Sequence, residues 1–216
     1  MMKRIFLYLI IFLVAFILTL AFTFPVGNYL SYYLSKYGFS YSYIEGNIFH
    51  IKIKDLEKRN FYIKSLNIKN WFYRIDISVD KNLSISVHPL SKAAYIVSNN
   101  FDISSMQKKP QVYGKLSGKY HLKIENKEIM ISGEGDLTQF KTAFLPIDID
   151  YIRHKFSKNE INATLKGKNL DGKFLGKIYL PLNIEKGYIK GKFSGSFMNS
   201  KLNQNIYIKF DRYIRW

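Results

Sequence analysis

From Tyr41 onward the hydrophobic period of this chain is two, and it stays two almost to the end. Tyr73, Ile75, Ile77 and Val79 alternate with Arg74, Asp76, Ser78 and Asp80, and Leu83, Ile85 and Val87 resume the pattern after Asp80-Lys81-Asn82. Successive side chains of a strand point to opposite faces, so this stretch reads as a hairpin with one apolar face. Segments 44–53, 61–71, 112–124, 128–137, 161–170, 173–180, 187–197 and 206–210 are strand-like in the same way; 91–99 and 143–151 are ambiguous. Short turns such as Glu125-Asn126-Lys127 join neighbours directly, which predicts an antiparallel meander.

Such a sheet must cover its apolar face with a second layer, a helix or a ligand. Only one short helix is predicted to help. Val26, Leu30, Tyr33 and Leu34 recur at helical spacing between Pro25 and Lys36, and Gly38 is placed to cap the helix. The sheet is therefore expected to curve into a trough or half-barrel. Glycines sit where curvature would be introduced: "GKFSGSF" at 191–197 alternates like a strand but puts Gly191 and Gly195 on its apolar side. Gly114, Gly118, Gly133 and Gly135 repeat the habit, and all six are read as bending the strands, against the alternative of turn or edge glycines in a flat sandwich.

Before the sheet, Met1-Met2-Lys3-Arg4 precedes twenty uncharged residues, Ile5 to Phe24. Twenty helical residues span roughly 30 Å, the thickness of a bilayer's hydrocarbon core. The run is longer than a secretory signal's apolar region and ends without an Ala-x-Ala site, so an uncleaved single-pass anchor is expected. Lys3 and Arg4 keep the short end cytoplasmic, which exports everything after Pro25. Three regions result: an anchor over 1–24, an N-terminal β region with the short helix over 25–107, and a C-terminal β region over 108–216. The polar stretch Ser104–Gln111 is read as a linker dividing the sheet in two.

The formal charge is +17, from 33 Lys and Arg against 16 Asp and Glu. An exported domain meets lipid headgroups and envelope proteins, so no nucleic-acid partner is expected; lysine-rich codon usage, with abundant Asn, Ile, Tyr and Phe, accounts for the charge equally well. There is no cysteine, which excludes disulfides and thiolate metal sites. His50, His88, His121 and His154 are widely separated, and no H-E-x-x-H, P-loop, G-x-S-x-G or dinucleotide fingerprint occurs. Asp148 with Asp150, and Glu134 with Asp136, fall on one strand face each, but among lysines, as on a solvated surface. No enzyme, cofactor or metal site is expected.

The layout of basic end, apolar anchor, brief helix, "YIEGNIFHIKIKDL" at 43–56, "IKSLNIKNW" at 63–71 and glycine-spaced strands resembles type II secretion system protein N, within the AsmA-like envelope proteins. Ile44-Glu45-Gly46-Asn47-Ile48 matches the first half of that family's glycine motif, and at His50 and Ile51 the second glycine is missing. "GEGDL" at 133–137 and "GKIYLPLNIEKGYIKGKFSGSF" at 176–197 extend the likeness. The resemblance implies an inner-membrane protein with a periplasmic β-domain, accessory to the machine that secretes folded proteins, with other envelope secretion proteins as partners. The AsmA-like relatives imply a different use, in which an apolar trough carries lipid acyl chains between membranes.

Overall fold

The computed structural model describes residues 11–16, 19, 23–24, 26–109, 111–143, 148–168, 170–198 and 200–210. The expected anchor lies largely outside the described residues. Residues 11–16 are helical with exposed side chains, and among the described residues no helix is long and apolar enough to cross a membrane.

After a helix, α1 (Val26–Lys36), come thirteen strands: β1 (Tyr43–Gly46), β2 (His50–Lys58), β3 (Phe61–Asn70), β4 (Ile75–Val79), β5 (Leu83–His88), β6 (Ala93–Asp102), β7 (Val112–Glu125), β8 (Glu128–Thr142), β9 (Asp148–Ser157), β10 (Glu160–Lys166), β11 (Leu170–Tyr179), β12 (Tyr188–Phe197) and β13 (Ser200–Lys209). They form one antiparallel sheet in sequence order, and it is not closed: β1 and β13 are its two edges. The polar stretch read as a divider does not interrupt it. A 3-10 turn, Ile103–Met106, occupies the start of that stretch, and β6 pairs with β7 across it. The segment 44–53, read as one strand, is two, because Asn47 Oδ1 accepts from the Phe49 and His50 amides and turns the chain.

Helix α1 ends as its sequence predicts. Gly38 takes φ +75°, its amide donates to Ser35 O, and the Phe39 amide reaches back to Leu34 O, the double bond of a Schellman cap. Leu30 and Leu34 pack onto a core of Ile53, Leu56, Ile63, Val79 and Phe101, whereas Tyr33, expected on the same stripe, is exposed. Alternation alone does not give this core. Asp55 sits at φ +51° in the middle of β2, so the apolar side shifts by one residue and Leu56, paired with Ile63, joins Ile53.

The short hairpins are bridged at their turns. Past the β4–β5 turn, Gln107 forms an isolated bridge with Phe61, tying the chain after β6 to β3. Past the β9–β10 turn, Glu128 bridges Pro181, and the Ile129 amide donates to Leu180 O. Asn159 closes that second junction. It is 3% exposed at φ +70°, its Oδ1 accepts from the Ile131 amide at 2.6 Å, and its Nδ2 donates to Ile129 O at 3.0 Å. Its own carbonyl accepts from the Ile178 amide at 2.9 Å, so one residue links β8 to β11.

Truncating Asn159 strands buried backbone groups on β8. Asn159→Ala should therefore cost about 1–3 kcal/mol, whereas Asn126→Ala, in the neighbouring exposed turn at φ +49°, should cost less. Equilibrium denaturant melts of the two variants measure the difference.

Candidate functional site

The two halves of the sheet treat their apolar faces differently. In β1–β6 the face is covered by α1 and by the 3-10 turn through Met106. In β10–β13 the register lines up the rows Ile161, Gly176, Gly191, Ile206; Ala163, Phe174, Phe193, Gln204; and Leu165, Gly172, Gly195, Leu202. Ile161, Ala163 and Phe193 in them are buried by their neighbours and the rest are partly or fully exposed, with no helix packed on them among the described residues. They form an open groove of about 450 Å³, lined by Leu165, Phe174, Phe193, Phe197, Leu202 and Ile206.

The glycines are the key to this surface. Two strands with glycines four apart pair antiparallel, so Gly172 faces Gly195 and Gly176 faces Gly191. Gly118 faces Gly135 in the same way. Over each pair lies an aromatic ring. A Cβ on Gly176 or Gly191 would meet Phe174 Cζ at 2.6 or 2.5 Å; on Gly172 it would meet Phe193 Cζ at 2.6 Å; on Gly118 it would meet Tyr120 Oη at 2.6 Å. The rings lie along the sheet instead of standing off it, and each covers backbone that glycine leaves bare. Gly133 does take positive φ, at +142°, and Gly114, at +152°, sits where the β7–β8 register slips. Gly133 and Gly114 thus take a backbone conformation that favours glycine; Gly118, Gly135 and Gly191, with Gly172 and Gly176 beside them, make room for rings, and at Gly195 the close neighbour is the backbone of Asp171 and Gly172.

The face also contains one buried polar pair. Tyr120 Oη lies 2.7 Å from His154 Nε2, with the two rings stacked 5.8 Å apart. Burial pushes the Tyr120 hydroxyl up to about 12 and lowers His154, against a hydrogen bond to the Ile152 backbone that favours its charged form. At neutral pH the phenol is therefore the donor and a neutral imidazole the acceptor. The pair is a satisfied contact of a buried phenol with a half-buried imidazole.

The other sequence candidates lie apart. His88 and His121 flank Tyr95 on the polar face, His121 stacking on it at 4.6 Å and His88 meeting it edge-on at 5.6 Å; His50 is opposite Lys69 on β3. Asp136 accepts from Tyr151 Oη at 2.7 Å and from Arg153 Nε at 3.2 Å, and although burial opposes it, these partners hold its carboxyl below the usual range. Glu134 pairs across the strands with Lys119 and Lys155. Asp148 forms an ion pair with Lys141 at 3.0 Å. Among the described residues no three His, Asp or Glu side chains are grouped to hold a metal. The register places Arg153, Lys155, Lys173, Lys177, Lys190 and Lys192 on the face opposite the groove.

No family model, curated protein or solved structure matches this chain.

Two outcomes follow from the geometry. A Cβ at Gly195 would lie inside contact distance of Asp171 O and 2.5 Å from Gly172 Cα, so Gly195→Val should destabilise by about 3 kcal/mol, a fall in Tm of roughly 6–12 °C. A melt at or above the parent would refute the close approach. His154, held neutral, contributes stability present above the ordinary histidine pKa of about 6.5 and lost as pH falls through its lowered folded value. Melts should therefore show acid destabilisation below about pH 6.5 that shrinks in His154→Gln, which keeps an acceptor for Tyr120 and cannot take up a proton there.

Proposed function

We propose that this chain is a membrane-anchored envelope protein whose sheet, curved as a trough, holds lipid acyl chains along the apolar face of β10–β13. One observation carries the reading: three largely aliphatic and aromatic rows cross β10–β13 with no helix packed on them among the described residues. A contiguous apolar surface of this kind in a water-exposed domain marks an interaction site. Its groove of about 450 Å³ falls within the roughly 300–1,000 Å³ typical of small-molecule clefts. Acyl chains suit it because its lining offers apolar contact along the sheet and one polar side chain in the rows, Gln204. The run Ile5 to Phe24 supplies the attachment, with Lys3 and Arg4 keeping the short end cytoplasmic and the sheet periplasmic. The AsmA-like resemblance supports the same use.

A second reading, an accessory scaffold of the type II secretion system, is favoured by β13. This ten-residue edge strand has no partner on its outer side among the described residues, and such an edge is a template for a strand of another protein.

The deciding experiment purifies the full chain in detergent beside the double variant Leu202→Asp, Ile206→Asp, and identifies bound lipid by mass spectrometry. The variant shares the anchor, so lipid held only by that segment is common to both. Several-fold more lipid on the parent, with unchanged melting of the variant, is expected. Equal lipid on both removes the acyl-chain reading. Capture of envelope secretion proteins by the parent, without lipid, establishes the scaffold.

A further inference from the structure

The odd-numbered strands all run toward one end of the sheet and the even-numbered strands toward the other, so the turns sort into two sets. Around β1–β6 the two sets differ in chemistry. One end carries Lys58-Arg59-Asn60 and Asp80-Lys81-Asn82, polar turns suited to water. The other carries Trp71-Phe72-Tyr73 between β3 and β4, and Leu90 between β5 and β6. These side chains are 49%, 73%, 60% and 88% exposed.

The aromatic turn is held out at a cost. Phe72 has φ +63°, the Tyr73 amide donates to Trp71 O and the Trp71 amide to Arg74 O, each at 2.8 Å, and Asn70 Oδ1 accepts from the Phe72 amide at 2.9 Å. A three-residue turn with positive φ at its centre is rare, and a bulky aromatic there is a steric outlier of the kind that persists at functional sites. Phe72 also meets Phe49 of the β1–β2 turn edge-on at 5.3 Å, which joins two turns of this end into one surface.

The same end receives the N-terminal segment. Helix α1 starts at Val26 beside the β1–β2 turn, where a Cβ on Gly27 would lie 3.8 Å from Ile44 O, and it runs away from there to the Ser40–Glu57 bridge. Phe24 stacks on Tyr29 at 5.1 Å at this start, and Tyr29 and Tyr32 are exposed. The apolar run Ile5 to Phe24 thus joins the domain where its turn tips are aromatic and aliphatic. Trp and Tyr favour the headgroup level of a bilayer, where a ring's apolar body and polar edge are both satisfied.

We infer that Trp71, Phe72, Tyr73 and Leu90 form a rim that inserts into the membrane interface and seats the sheet on the bilayer. The occupant is the headgroup region of the membrane that holds the N-terminal segment, with Lys92 beside the Leu90 tip as a contact for anionic lipid, whereas Arg74 is paired with Asp76 at 2.9 Å. The inference rests on membrane attachment and is independent of whether the groove holds acyl chains.

The chain has no cysteine, so single cysteines can be labelled without background. Leu90→Cys and Lys81→Cys, each in the full chain and carrying a polarity-sensitive fluorophore, are reconstituted into vesicles of phosphatidylcholine and phosphatidylglycerol. Flotation is recorded first. The Leu90 label should be blue-shifted and quenched several-fold more by lipid brominated near the headgroup than the Lys81 label. Adding Phe72→Gly should relieve the strained turn, so that variant melts at or above the parent, yet it should weaken quenching at position 90. Floating protein whose two labels are equally water-exposed overturns the rim and leaves the anchor standing. Protein that does not float overturns membrane attachment and the rim with it.

Discussion

A sheet of thirteen antiparallel strands has an apolar face along its whole width, and past Phe24 this chain has one α-helix of eleven residues among its described residues to set against it. That shortage of cover governs the molecule. Where α1 lies, the sheet builds an ordinary core around Ile53, Leu56, Ile63, Val79 and Phe101. Beyond its reach no side chain is buried to that degree in β11 or β13, and in β12 Phe193 alone is. The fold responds by shielding backbone with its own rings. Phe174 and Phe193 lie over paired glycines, which brings aromatic carbon against peptide groups; Phe174 stays half-buried while Phe193 is buried. A valine-rich strand would stand its side chains off the sheet and demand a second layer. Glycine with phenylalanine makes a low surface that tolerates being left open.

Most of the strand map is legible from alternation, because one solvated face and one apolar face imprint a period of two. The losses have specific physical causes. Asp55 and Gln139 take positive φ in mid-strand, at +51° and +54°, where neither residue type announces it. After Gln139 the apolar positions shift by one, from Leu137 with Ile152 to Phe140 with Ile149. The segments 91–99 and 143–151, which overlap the strands Ala93–Asp102 and Asp148–Ser157, are ambiguous because Ala93-Ala94 and Asp148-Ile149-Asp150 have short or charged residues that fit a strand and a turn alike. The glycine pairs had a signal that alternation does not use: equal spacing in Gly172-x-x-x-Gly176 and Gly191-x-x-x-Gly195 specifies that the two strands can pair glycine to glycine in one antiparallel register. The Tyr120–His154 contact had none, since it joins β7 to β9 diagonally across Gly135 and depends on the ring having no side chain beneath it.

Register is correspondingly well specified in a region with little core. Sliding β12 by two residues against β11 keeps apolar residues on the apolar face, so patterning alone would permit it. The slide would put Phe174 opposite Gly191 or Gly195 and oppose Phe193 to a glycine, losing the flat packing of ring over glycine pair. The aromatic and glycine positions thus select one register among those that alternation allows, and a two-residue slip costs contacts on four positions at once.

Stability and openness are divided along the sheet. The covered core lies beside α1, at the half the N-terminal segment enters, and the open rows lie in the half farthest along the meander. A sheet whose whole length were uncovered would have little to hold its strands besides the ladder hydrogen bonds. One whose whole length were packed would have no free face. The isolated bridges Phe61 to Gln107 and Glu128 to Pro181 each tie segments that are not neighbours in the ladder. The first lies in the half covered by α1; the second runs from β8 to the chain after β11, beside the strands that have no helix on them, and there resists fanning of the strands.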